Sequence, residues 1–246
     1  MKKDLTHMKL ENIKIVMVET THPGNIGAAA RAMKNMGLSS LILVNPKCRV
    51  DEVAYARGSG ADEILQQHQQ AESLPQAVAD CQLVVGTSAR LRALAWPELT
   101  PSSLAHKALF SSNHEKVAVV FGREHAGLTN DELQHCQYTV TIPSNPSFSS
   151  LNVASSIQVI AYEIYKLYCE QGQNTVEPGE PLADSAELEG YFTHLQQVLV
   201  STGFLDNSNP RQMMKRLRRL YQRAEPTRNE VNILRGMLSA VEKYRR

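Results

Sequence analysis

No stretch of this 246-residue chain comes near the roughly 20 consecutive apolar residues that a membrane-spanning helix requires. Nor do the charges of the N-terminal MKKDLTHMKLEN have an apolar run behind them, so the segment does not read as a secretion signal. The four cysteines, Cys48, Cys81, Cys136 and Cys169, lie far apart, with neither CxxC nor CxxxxH spacing. They suggest no zinc site or other metal and no disulfide framework, and make a reducing cytoplasm the expected compartment. The dinucleotide fingerprint G-x-G-x-x-G is also missing. Gly24 and Gly27 have the wrong spacing, and Gly58-Ser59-Gly60 follows a polar segment rather than a strand. There is no Walker loop, and GTSAR at residues 86–90 is not the G-x-S-x-G of a hydrolase elbow. Dehydrogenase, P-loop and serine-hydrolase chemistry are thereby set aside.

What is present is an ordinary globular composition, 42% hydrophobic and 21% charged, enough for a real core. IKIVMVE at residues 13–19, LILV ending at Val44, LVVG ending at Gly86 and VAVVF at residues 117–121 read as buried strands. Helical patterns separate them: an Ala/Met-rich run closing at Gly37, residues 51–57, and residues 75–79. Alternation of this kind predicts an α/β domain with a largely parallel sheet. A further short strand from Tyr138 ends at Pro143, because proline has no amide proton for a ladder. Beyond the loop, Val153, Ile157, Ile160, Ile164 and Leu167 recur at helical spacing, with Ser149 and Ser150 in the expected N-cap position. That apolar face suits either core packing or a subunit contact. Ligands of open parallel sheets bind beyond the strands' carboxyl ends. There the chain places Asn25 and Arg31, then Thr87 to Ala89, then Gly122 to Gly127, then Ser149 to Asn152. His22 and His125 fall in the same loops without an obvious carboxylate or nucleophile partner.

Residues 172–183 lack periodicity and read as a linker between a domain at 1–171 and a helical module at 184–246. Asp184 with Glu187, and Thr227 with Glu230, have capping-box spacing, and Asn209-Pro210 opens a helix between them. The middle helix is expected to bury Met213, Met214, Leu217, Leu220 and Tyr221, and the last one Val231, Leu234, Leu238 and Val241. Arg211, Lys215, Arg218 and Arg219 form a separate basic stripe. Between residues 210 and 246 eleven Lys/Arg meet three acids, a charge of +8, so the rest of a chain of net charge +1 carries −7. A basic module on an acidic domain points to a polyanionic partner.

Three segments then carry a family resemblance: NIGAAARAM, FGREHAGLTNDEL and IPSNPSFSSLNVASSIQVIAYE. They resemble the three motifs of the SPOUT class of RNA methyltransferases, in the branch that methylates ribose 2′-hydroxyls. The tail NPRQMMKRLRRLYQRAEPTRNEVNILRGML extends the likeness to members acting on tRNA. The resemblance implies a SPOUT-type α/β knot, in which the last strand and helix thread through an earlier loop, followed by the all-helical module. It implies a homodimer whose sites are completed by both subunits. It implies S-adenosyl-L-methionine held by Thr87, Ser88, Ala89, Gly122, Ile142, Ser149, Ser150 and Leu151. Arg31 would be the central catalytic residue, supported by Asn25, Glu124, Ser150 and Asn152, with the general base left open between Arg31, Glu124 and a substrate phosphate. The substrate implied is tRNA, methylated at nucleotide 32 of the anticodon loop, with Arg211, Lys215, Arg218 and Arg219 on the RNA. A relative acting on ribosomal RNA and a catalytically idle RNA-binding protein are the alternatives.

Overall fold

A computed structural model of the chain describes residues 9–88, 96–113, 115–171, 180–205 and 211–244, with Gln171 and Arg211 as backbone only. Seven strands make one sheet in which every pairing is parallel. They are β1 (Ile13–Val18), β2 (Ser40–Val44), β3 (Gln69–Ala71), β4 (Leu83–Thr87), β5 (Glu98–Leu99), β6 (Val117–Phe121) and β7 (Tyr138–Val140), in the order β3-β2-β1-β6-β4-β7-β5. The central strands are apolar on both faces because both are covered. Ile13, Ile15 and Met17 of β1 face one core and Val16 and Val18 the other, as the two-residue period of a strand requires.

The first core lies under α1 (Pro23–Asn35), α5 (Pro101–Ser112) and α7 (Val153–Gln171). The expected face of α7 is buried there from Val153 to Leu167, within a single chain. Core packing accounts for that stripe in full, so it offers no apolar surface to a second subunit. The N-cap of α7 is Asn152, not Ser149 or Ser150. Its Oδ1 accepts from the amides of Ala154 (2.9 Å) and Ser155 (3.4 Å), and the two serines lie in the loop before the helix. Next to α1 runs α2 (Glu52–Gly58), capped by Asp51, and at Gly27 the two helices meet backbone to backbone. The opposite core lies under α4 (Leu74–Val78) and α6 (Asn130–Leu133), with α3 (Asp62–Gln66) at the edge of the first. The sequence reading left α3, α5, α6, β3 and β5 unassigned. These are short, or, for α5, nearly uniform in hydrophobicity, so periodicity carries little signal there.

The C-terminal module is α8 (Ser185–Ser201), α9 (Arg211–Ala224) and α10 (Arg228–Tyr244) around Leu188, Tyr191, Phe192, Met214 and Val231. Both expected capping boxes form, at Asp184/Glu187 and Thr227/Glu230. Three of the expected core positions are instead open: Met213 is 38%, Leu220 50% and Val241 45% exposed. Three short helices do not enclose a full apolar circumference, and these side chains lie beyond the contact stripe. Residues 172–179 of the expected linker lie outside the described residues, but its end is ordered by pairing with the α9–α10 turn. Ala183 N donates to Pro226 O (2.9 Å), and Arg228 N to Pro181 O (3.0 Å). The module docks on the first domain through Ser185 N to Cys81 O (2.9 Å), Gln222 Nε2 to Gln134 O (2.7 Å) and a Lys107–Glu225 ion pair (2.8 Å). Lys107 Nζ also sits over the Tyr138 ring, 4.6 Å from its centroid.

Two glycine substitutions should separate close packing from propensity. A Cβ at Gly27 would lie 2.0 Å from Ala54 O, whereas one at Gly190 in α8 meets nothing within 4 Å. Gly27→Ala should cost at least about 2 kcal/mol, and Gly190→Ala should stabilise by up to about 1 kcal/mol. Denaturant unfolding of both variants checks this; equal effects would mean that the α1–α2 approach is not tight.

Candidate active site

The ends of β4, β6 and β7 open into a cavity of about 230 Å³. Its walls are Phe121, Val140, Ile142, Leu151 and Val153, and its hydroxyls come from Thr87, Ser88, Ser149, Ser150 and Ser156. Gly122 makes the floor possible. A Cβ there would lie 2.1 Å from the carbonyl carbon of Gly127, because the chain after β6 folds straight back on itself. The fold-back is closed by Gly127 N to Arg123 O (2.9 Å) and Arg123 N to Gly127 O (3.3 Å), with Gly127 at φ +66°. Ser88 N donates to Val140 O (3.0 Å), which ties the end of β4 to that of β7. The cavity thus gathers Thr87, Ser88, Gly122, Ile142, Ser149, Ser150 and Leu151 from the expected cofactor set; Ala89 lies outside the described residues.

At the rim, Glu124 accepts from three side chains. Thr20 Oγ1 (2.7 Å) and Asn25 Nδ2 (3.0 Å) donate to its Oε1, and Thr21 Oγ1 (3.2 Å) donates to Oε2. The Thr21 amide adds longer bonds of 3.3 and 3.4 Å to the two oxygens. Burial alone would raise this carboxyl, but the donors prevail, Thr20 and Asn25 foremost, and its pKa falls to about 2. Asn25 Oδ1 in turn accepts from Asn152 Nδ2 (3.0 Å), and Asn152 caps α7. One hydrogen-bonded chain therefore runs from Glu124 through Asn25 and Asn152 to the first turn of α7.

The turn after β1 sets this up. Glu19 has φ +47°, a strained left-handed conformation for a non-glycine residue that costs on the order of 1 kcal/mol or more. It sends Thr20 and Thr21 towards Glu124 and the Glu19 carboxylate elsewhere, to Arg123 Nε (2.7 Å), Lys47 Nζ (3.2 Å) and Asn45 Nδ2 (2.8 Å). Arg123 closes the set with a two-pronged pair to Glu132, 3.0 Å on each side. The sequence reading missed Thr20, Thr21, Glu19 and Arg123. Two threonines directly after a strand end, opposite a loop carrying Glu124, were the available signal.

Arg31 stands apart from this network. It is exposed on α1, it does not line the cavity, and among the described residues it has no ion pair or hydrogen bond. His125 is exposed at the cavity wall and His22 is the N-cap residue of α1; neither has a side-chain partner among the described residues. Among the described residues no group of three or more His, Cys, Asp or Glu is placed to hold a metal ion.

Comparison with known proteins places this geometry. The model of the SpoU rRNA Methylase family matches residues 12–162, and that of the C-terminal domain of tRNA methyltransferase TrmJ matches residues 186–246. A tRNA (cytidine/uridine-2'-O-)-methyltransferase TrmJ from Cronobacter sakazakii is 50% identical over 96% of this chain and 98% of its own. The chain belongs to the TrmJ family of SpoU methylases. Among solved structures, TrmJ from Z. mobilis ZM4 is 35% identical with a TM-score of 0.82, covering 93% of this chain and 98% of its own. A methylase family protein from Haemophilus influenzae Rd KW20 is 46% identical with a TM-score of 0.65, covering 96% and 98%.

In the region matched by the TrmJ C-terminal model, the expected RNA-facing cations have unequal settings. Arg218 is not free: both its terminal nitrogens pair with Glu189, and its guanidinium lies over the Phe192 ring, 4.6 Å from the centroid. Glu189 also faces His135 Nδ1 at 3.5 Å; burial would raise its carboxyl, yet these partners bring it to about 2. Lys215 lies 3.6 Å from Asp131, and Arg219 lines a narrow cleft with Trp96. The Arg211 side chain lies outside the described set.

The Glu124 donors make a prediction. A depressed carboxyl stabilises the fold at pH above its ordinary value of 4.5, and that contribution is lost as pH falls towards about 2. Replacing Thr20 by Val together with Asn25→Ala should move the Glu124 midpoint up towards the ordinary range in a carbon-13 NMR titration. An unmoved midpoint would mean that these donors are not what holds it down.

Proposed function

We propose that this chain transfers a methyl group from S-adenosyl-L-methionine to the ribose 2′-hydroxyl of cytidine or uridine at nucleotide 32 of tRNA, working as a homodimer in the cytoplasm. The observation that carries the reading is the Glu124–Asn25–Asn152 chain at the mouth of the cavity, in a protein 50% identical to relatives named as tRNA (cytidine/uridine-2'-O-)-methyltransferases. The cavity's chemistry suits the cofactor. Its walls offer apolar surface and small hydroxyls for an adenine and a methionine, and Arg123, the arginine among its lining residues, is already held by Glu19 and Glu132, so no phosphate clamp is on offer. When bound there, S-adenosylmethionine supplies an electrophilic methyl group on a sulfonium.

The protein's task is to aim a neutral hydroxyl and help it lose a proton. Glu124 is poorly fitted to be the base: a carboxylate held near 2 by its donors binds a proton weakly at neutral pH. Its part in this reading is to fix Thr20 and Asn25, and through Asn25 the Asn152 cap beside Ser150 and Leu151. Arg31 orients the ribose and stabilises developing charge on its oxygen. Because Arg31 lines none of its own chain's cavity and is unpaired among the described residues, the site reads as one completed across two subunits. The trefoil threading of the family belongs to the same reading, as does placement of the basic module on the tRNA.

The test is methyl transfer from labelled S-adenosylmethionine to unmodified tRNA, with the modified nucleotide mapped. Wild type should label a 2′-hydroxyl at nucleotide 32, and Arg31→Ala should fall by at least about 100-fold while still binding cofactor in calorimetry. Label on ribosomal RNA alone, the substrate in the matching family model's name, would keep the chemistry and move the substrate. Cofactor binding without transfer to either RNA would leave only a binding protein.

A further inference from the structure

Helix α9 has three faces. Met214, Leu217 and Tyr221 pack into the module's core. Lys215, Arg218 and Gln222, at helical spacing of three and four, form a second face that meets carboxylates and the first domain: Lys215 at Asp131, Arg218 at Glu189, Gln222 at the Gln134 carbonyl. Met213, Arg216, Leu220 and Arg223, at steps of three, four and three, make the third, which is open. Arg216 and Arg223 are exposed and have no ion pair or hydrogen bond among the described residues, and Met213 and Leu220 lie beside them, 38% and 50% exposed.

The module's carboxylates are turned elsewhere. Glu187 and Glu230 close capping boxes, Glu189 holds Arg218, Glu225 holds Lys107, and Glu242 faces His194 at 3.4 Å. No carboxylate among the described residues neutralises the open face. Its two arginines stand about 10 Å apart along the helix axis, two turns at 1.5 Å per residue. Leu220 between the arginines and Met213 beside Arg216 favour a partner that presents both phosphates and flat, non-polar rings.

We propose that this open face of α9, centred on Arg216 and Arg223, is the surface that grips the phosphate backbone of the RNA substrate, and that Lys215 and Arg218 serve to dock the module. This deepens the reading above and rests on it. Each cation on phosphate releases counterions and so steepens the fall of affinity with salt, by about 0.7 to 0.9 per contact on a log–log plot. A cation already engaged by a carboxylate releases few.

Full-length protein is titrated with tRNA over a salt series, with methyl transfer to the same tRNA measured in parallel. Arg216→Gln with Arg223→Gln should flatten the log–log slope by about 1.5 and weaken low-salt binding at least tenfold. Its melting temperature and cofactor affinity should stay at the wild-type values. Lys215→Gln should leave the slope near wild type, and Arg218→Met should lower the melting temperature; Lys215→Gln serves alone if Arg218→Met fails to fold. An unchanged slope in the Arg216/Arg223 variant, or equal flattening by Lys215→Gln, would overturn the assignment. So would a change in self-association in place of the slope, which would make the face a protein contact. Wild-type protein that neither binds nor methylates tRNA would instead sink the functional reading.

Discussion

A single carboxylate ties the site together. Glu124 draws in Thr20 and Thr21 from the turn after β1 and Asn25 from the first turn of α1, and Asn25 passes the linkage to Asn152 at the start of α7. An anion in a partly buried setting needs this many donors, and each donor fixes the loop that carries it. Arg123 does the complementary work beneath, bridging Glu19 and Glu132 so that the loop bearing Glu124 is held from both sides. The cavity is thus shaped by polar groups that satisfy one another, while the sheet beneath supplies rigidity.

What could be read in advance followed physical regularity. Buried parallel strands announce themselves as apolar runs, so β1, β2, β4 and β6 were legible, as was the core stripe of α7. The cofactor rim was legible because parallel sheets place ligands at one end, and Thr87, Ser88, Gly122, Ile142, Ser149, Ser150 and Leu151 do line one cavity. The two threonine donors to Glu124 were not, because their spacing along the chain from Glu124 has no pattern. Thr20 and Glu124 meet only through the pairing of β1 with β6, and Thr21 depends further on the left-handed turn at Glu19. The N-cap of α7 was misplaced for a related reason: two serines and an asparagine are equally good caps in sequence, and only the folded chain shows Asn152 accepting the first free amides.

The module illustrates the limits of charge patterning. Eleven basic residues near the C-terminus point to a polyanion, but spacing alone does not say which are free. Folding divides α9 into faces, one of which meets Asp131 and Glu189, so cations one position apart, Lys215 and Arg216, acquire different surroundings. The same division explains the exposure of Met213 and Leu220, which a two-faced helix would have buried.

The contacts at Glu124 also bear on how the protein is made. Its side-chain partners lie 104, 103 and 99 positions away, and the Asn25–Asn152 link spans 127. None of these links can close before both of its ends have been made, so the site depends on chain synthesised far apart. On the ribosome, the rim stays incomplete until Asn152 has emerged. Catalytic competence therefore reports completion of the whole domain, and a partly made chain offers RNA no half-formed site.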